Sequence, residues 1–107
     1  MAVNRSSILP GLLEDIKNHI DITWEDEATN KKIRNLTAQG MVYLNGKYGE
    51  EADYSVDGAP RTLLFEYVRY ARDSALDVFE NNYRAQILAM QNEKAVERYV
   101  EKTLQAE

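Results

Sequence analysis

The sequence predicts an all-α fold, a small bundle of four to five helices around a central helix at about residues 60–80, with a long loop at about 46–59. Three observations predict it. Leu64, Tyr67, Val68, Ala71, Ala75, Val78 and Phe79 recur at three- and four-residue steps, one stripe on one helix. Two earlier segments, 8–21 and 23–45, carry stripes of the same period, and residues 83–104 are helix-prone throughout. Residues 46–59 hold three of the five glycines and show no period.

The elements follow in chain order. Residues 1–7 are polar and read as a disordered lead. The first helix spans Ile8 to Asp21, with Pro10 in its first turn and Leu12, Leu13, Ile16 and Ile20 on its apolar face. Thr23 reads as the N-cap of the second helix, and Glu25, Asp26 and Glu27 suit the positive end of its dipole. Ile22 is placed to staple back onto the first turn. This helix runs to about Asn45, where Asn45-Gly46 is a natural stop. Gly40 lies inside it at a cost of about 1 kcal/mol against Ala, which points to a close helix crossing there. A loop as long as 46–59 is unusual in a small domain and is often functional.

Asp57-Gly58 is turn chemistry, and Pro60 fits the first turn of the central helix. Ala71 and Ala75, one turn apart, admit a close second helix. Glu66, Arg69, Asp73 and Asp77 form the opposite, wet side. Asn81-Asn82 reads as a break or kink. Beyond it lie two apolar patches, Tyr83, Ile87, Leu88 and Met90, then Val96, Tyr99, Val100 and Leu104. The polar run Gln91 to Lys94 separates them, so residues 93–107 read either as a segment that docks on its own domain or as a mobile helical arm that packs on another subunit.

The whole chain, 1–107, reads as one domain, with 44% hydrophobic and 29% charged residues. Without cysteine, disulfides and thiolate metal sites are excluded. No apolar run approaches the roughly 20 residues of a membrane span, and the first residues lack a signal-peptide core. The expected site of synthesis is therefore the cytoplasm, with no membrane partner. A net charge of −5 opposes wrapping nucleic acid but suits lining a passage through which a polyanion slides.

The motif search points away from catalysis. Asp53, Ser55, Asp57 and Gly58 mimic the start of a calcium loop, but its twelfth position is Leu64 rather than Glu, and Pro60 falls inside it. His19 is the lone histidine, so a zinc site would need carboxylates around it. There is no phosphate-cradling glycine loop and no nucleophile–base motif. The expectation is no enzyme, no metal and no cofactor. Tyr67, Arg69, Tyr70 and Arg72 interleave aromatic and basic groups as single-strand binders do, but Arg69 stands beside Glu66 and Asp73 at ion-pair spacing. Tyr70 and Arg72 flank the stripe as candidates for contact with a neighbouring chain. Tyr48 and Tyr54 in the loop, and Tyr99, Val100 and Leu104 in the arm, are further candidates.

Two segments carry a resemblance: Ile22-Thr23-Trp24-Glu25-Asp26-Glu27, and Leu63 to Arg72 (LLFEYVRYAR) followed by Ala75-Leu76-Asp77-Val78-Phe79. Gly40 with Tyr43-Leu44-Asn45 fits the same pattern. Over about residues 9–92 the chain resembles the small head–tail connector proteins of long-tailed bacteriophages and prophages, also called head-completion or adaptor proteins. Glu93 to Glu107 have no counterpart in it. The resemblance implies an all-helical subunit that assembles as a homo-oligomeric ring, commonly of about a dozen copies. Such a ring docks under the portal protein, extends the DNA channel without binding DNA specifically, and offers a surface to the next connector, stopper or tail protein. The implied location is the head–tail junction of a virion assembled in a bacterial cytoplasm. A different class also fits the residues, a small cytoplasmic helical adaptor or regulator that binds a single protein partner.

Overall fold

The computed structural model describes residues 8–106, so the expected disorder of residues 1–7 and the last residue of the arm lie outside it. Four helices follow one another: α1 (Pro10–His19), α2 (Glu27–Tyr48), α3 (Ala59–Arg72) and α4 (Leu76–Ala106). The described residues contain no strand. α2 and α3 each contact all three other helices, and α3 packs mainly between α2 and α4. One apolar core joins them, with Ile16, Ile33, Leu44, Leu64, Val68, Phe79 and Met90 almost wholly removed from water.

α1 begins at Pro10, whose missing N–H costs nothing at that position. It ends in a pair of reverse hydrogen bonds, Ile22 N to Lys17 O at 2.8 Å and Asp21 N to Asn18 O at 3.3 Å. Asp21 takes the left-handed conformation this ending requires, with φ 62°. The turn folds Ile22 back into the core, where it is 2% exposed.

The N-cap of α2 is Asp26 rather than Thr23. Its carboxylate accepts from the Thr29 backbone N–H at 3.0 Å and from the Thr29 hydroxyl at 2.7 Å. These bonds, the hydroxyl's first, hold the Asp26 carboxyl below the usual range. Thr23 stands exposed ahead of the helix. α2 also runs past Asn45-Gly46 to Tyr48, and stops at Gly49 with φ 91°. Asn45 does not end the helix because its side chain is buried and busy. Its Oδ1 accepts from Tyr54 Oη at 2.7 Å and from Ala52 N at 3.1 Å, tying the following segment to the core. The loop is accordingly shorter than expected, 49–58 rather than 46–59.

At Gly40 helices α2 and α3 meet closely. A methyl group there would lie 2.7 Å from Tyr67 Cδ1 and 2.8 Å from Leu64 Cδ1. The glycine is present because α3 occupies the space of a side chain.

The central helix is split. α3 ends at Arg72, and Asp73, Ser74 and Ala75 turn the chain before α4 begins. Ala75 N donates to Tyr70 O at 2.9 Å and Ser74 N to Ala71 O at 3.1 Å, with Ser74 left-handed at φ 56°. Ala75 therefore sits in the link and not at a helix crossing. Leu64 to Ala71 serve one helix, whereas Phe79 returns from the next to cap the same core. Its ring packs against Tyr43, Tyr67, Tyr70 and Tyr83, with centroids 5.2–6.4 Å away. Val78 turns outward and is 44% exposed. No break occurs at Asn81-Asn82, and α4 is one helix of 31 residues, roughly 46 Å long at 1.5 Å per residue. That length sets the long axis of the molecule, which measures 55 × 29 × 22 Å.

Candidate interaction surfaces

The residues singled out in the sequence fall into two groups. Tyr48, Tyr54, Tyr70 and Arg72 are engaged within the chain. Tyr54 is buried, with its hydroxyl on Asn45, and burial drives its phenol pKa upward. Tyr70 packs in the aromatic cluster and takes a hydrogen bond from Asn82 at 3.3 Å. Arg72 donates to Ile20 O at 3.0 Å, closing the end of α1 onto α3. Tyr48 is half-buried beneath the Lys94 ammonium, 5.0 Å from its ring centroid. Tyr99, Val100 and Leu104 form the second group. All three are exposed on the last turns of α4, at 72%, 48% and 65%.

The arm is an extension of α4, anchored at its base. Gln91 Nε2 donates to Lys47 O at 3.1 Å, and Arg98 reaches Tyr48 O at 3.5 Å. Lys94 pairs with Glu50, and this contact raises the lysine pKa and lowers that of the carboxyl. Three α4 side chains thus supply donors and positive charge to the carbonyl end of α2, where the helix dipole is negative. From Tyr99 onward the described residues through Gln105 are all exposed.

The surface that sequence reasoning missed is the outward face of α4. At alternating four- and three-residue steps it presents Val78, Asn82, Ala85, Ala89, Asn92, Val96, Tyr99 and Thr103. Every one is exposed and none is charged. Leu88 (51% exposed) and Ala95 widen this seam on one flank and Val100 on the other, where Glu93, one heptad before it, is the bordering charge. The opposite, bundle-facing side runs through Phe79, Tyr83, Ile87 and Met90, and then turns charged at Lys94, Glu97, Arg98 and Glu101. Val96 and Tyr99 of the arm therefore do not continue the stripe that packs on the bundle and lie on the other side of the same helix, whereas Leu104 follows Met90 and Glu97 on the bundle-facing row. Depletion of charge is what separates an interface core from ordinary surface. In a chain with 29% charged residues, a strip of roughly 39 Å without one is a built feature. The signal is present in the sequence, but a core stripe drawn through Val78 and a break at Asn81-Asn82 cut the seam in two.

Other polar features close locally. Glu66, expected on the wet side, is 8% exposed and bonded to His19 Nε2 at 2.8 Å and to Arg69 at 3.2 Å, joining α1 to α3. Lys17 buries its stem in the core and reaches Glu25 at 2.6 Å. A cleft of about 440 Å³ between His19, Asp21, Arg69, Arg72 and Asp73 mixes both signs of charge. The Asp53 carboxylate accepts from Ser55 N and its hydroxyl, a local turn in place of an ion loop. Among the described residues no three His, Cys, Asp or Glu side chains converge to hold a metal ion, and no helix is long and apolar enough to cross a membrane. Comparison of the chain with protein-family models, with curated proteins and with solved structures finds no match.

Proposed function

We propose that this chain is a structural head–tail connector of a tailed phage or prophage, a subunit that works by contact and performs no chemistry. In this reading, copies form a ring under the portal protein, extend the DNA channel, and present a surface to the next connector or tail protein in the virion. The observation that carries the assembly part is the exposed, uncharged outer face of α4, roughly 39 Å long and continued past the bundle by Tyr99 and Val100. An isolated subunit leaves it bare; an assembly covers it. The phage part rests on the resemblance of residues 9–92 to connector sequences. The acidic balance suits a lumen that DNA crosses without being held, because no stripe of Lys and Arg tracks a phosphate backbone.

The test is direct. Mixed with a purified portal ring, the chain should co-elute with it in light scattering at ring stoichiometry, and cryo-electron microscopy of a portal vertex should show its density between portal and tail. A chain that ignores the portal, or a vertex with no such density, overturns the proposal. A chain that instead captures one partner at one-to-one stoichiometry would be the small helical adaptor that the same face also fits.

A further inference from the structure

We infer that the outer face of α4 pairs, antiparallel and about a two-fold axis, with the same face of a second copy of this chain. The pairing is a property of the free chain: a two-fold contact closes on itself, so the pair must open before the same face can meet a different face of a neighbour in a ring, and the inference does not rest on the phage assignment.

Three observations carry it. The first is size. The seam is small in its first half, at Ala85 and Ala89, and large in its second, at Val96, Tyr99 and Val100. Two helices keep a constant separation only if small residues face large ones. An antiparallel pair centred between Ala89 and Asn92 does this, setting Ala85 opposite Val96 and Asn82 opposite Tyr99. A parallel pair would set alanine on alanine and tyrosine on tyrosine, pinched at one end and wedged at the other. The spacing is that of a coiled-coil seam, which extends the match over the full strip.

The second is charge. Each copy has a net charge of −5, so two copies approach best where neither presents charge. On the flank, the antiparallel register brings Asp77 of one copy within two residues, roughly 3 Å along the axis, of Lys102 of the other, twice by symmetry. Both side chains are exposed, and neither takes part in an ion pair among the described residues. The third is access. The face points away from α1 and α2 and touches α3 only where Asn82 Nδ2 donates to Tyr70 Oη, so it is open along most of its length. The strip of roughly 39 Å by about 10 Å would bury about 800 Å² over both copies, below the range of stable specific interfaces, so the pair is weak, reversible and depends on concentration.

The chain lacks cysteine, which makes the register directly readable. Sedimentation of the full chain over a concentration series should show the mass rising from 12.3 kDa toward twice that value. Val96→Asp, at an exposed position, should keep the helical spectrum and the melting temperature but remain a monomer. A mixture of Val78→Cys and Thr103→Cys chains should form a disulfide-linked pair on mild oxidation, and either variant alone should not. Lys102→Asp should weaken the dimer several-fold, and adding Asp77→Lys to it should restore the dimer. A mass fixed at 12.3 kDa, a ring-sized mass, or cross-linking of Thr103→Cys alone each overturns the pairing. A dimer that ignores the portal removes the connector reading and leaves this one, whereas portal binding by a strict monomer does the reverse.

Discussion

Gly40 and Gly46 sit in the same helix under opposite constraints. Space around Gly40 is filled by Tyr67 and Leu64, whereas a methyl group at Gly46 would meet nothing within 4 Å. Gly40→Ala gains about 1 kcal/mol of helix propensity but must push α3 away, at about 1–3 kcal/mol, and should lower stability. Gly46→Ala should raise it by about 0.5–1 kcal/mol. Thermal melts of the two variants should move in opposite directions; a shared direction would remove the close crossing. Lys17 and Glu25 give a second residue-level test. The hydrogen bond between them raises the lysine pKa and lowers that of the carboxyl. A depressed carboxyl pKa contributes stability above its ordinary value of 4.5, and that contribution is lost as pH falls through the lower folded value. A raised lysine pKa contributes below its ordinary 10.5, lost as pH rises through the higher folded value. The stabilisation is therefore greatest between these limits. Glu25→Gln, which keeps an acceptor for Asn30, should melt lower than the parent chain across roughly pH 6–9, with the gap closing as pH falls below the ordinary carboxyl range. A gap that persists unchanged in acid would show that the pair is not the source.

At the scale of the element, two chain reversals are built alike, and one was legible in the sequence. α1 and α3 both end with two reverse hydrogen bonds around a non-glycine residue in the left-handed conformation, Asp21 in one and Ser74 in the other. The first was readable because the apolar period lapses at Asp21 to Thr23. The second was not, because Ala75, Val78 and Phe79 prolong the stripe of α3 by coincidence of spacing, and no glycine marks the stop. Helix α2 shows the reverse error. Asn45-Gly46 carries the letters of a stop, yet Asn45 spends its side chain on Tyr54 and Ala52 and the helix continues to Gly49. Local chemistry names the residues able to end a helix, and tertiary partners decide which of them do. Ser74 sits where a Cβ costs about 1–2 kcal/mol, partly offset by the flexibility a glycine would add to the unfolded chain. Ser74→Gly should therefore raise the melting temperature by a few degrees, and Ser74→Val should lower it. If Ser74→Gly melts lower, the turn does not hold the geometry described.

For the whole molecule, the all-α class and the arm's apolar residues were legible, whereas the direction in which that arm faces was not. Tyr99, Val100 and Leu104 stand out as an apolar stripe by period alone, but period does not fix phase. Only the packing of Phe79, Tyr83, Ile87 and Met90 establishes that Val96 and Tyr99 lie on the far side of α4 from the bundle, whereas Leu104 stands on the row of Met90. Tyr54 is buried and Tyr70 and Arg72 are half-buried, each held by a partner distant in sequence that no local pattern reveals. The arrangement divides α4 into a part that holds the fold and a part that does not. Gln91, Lys94 and Arg98 clamp the carbonyl end of α2, whereas the described residues from Tyr99 to Gln105 are exposed throughout. A chain ending at Arg98 should then melt within about 2 °C of the full chain, as changes confined to exposed positions do. It should also lose self-association, since Tyr99 and Thr103 leave the seam. A chain ending at Met90 removes the clamp as well and should melt clearly lower. Equal melting temperatures for these two truncations would mean that the clamp contributes nothing, and a large loss in the longer one would place the arm inside the fold after all.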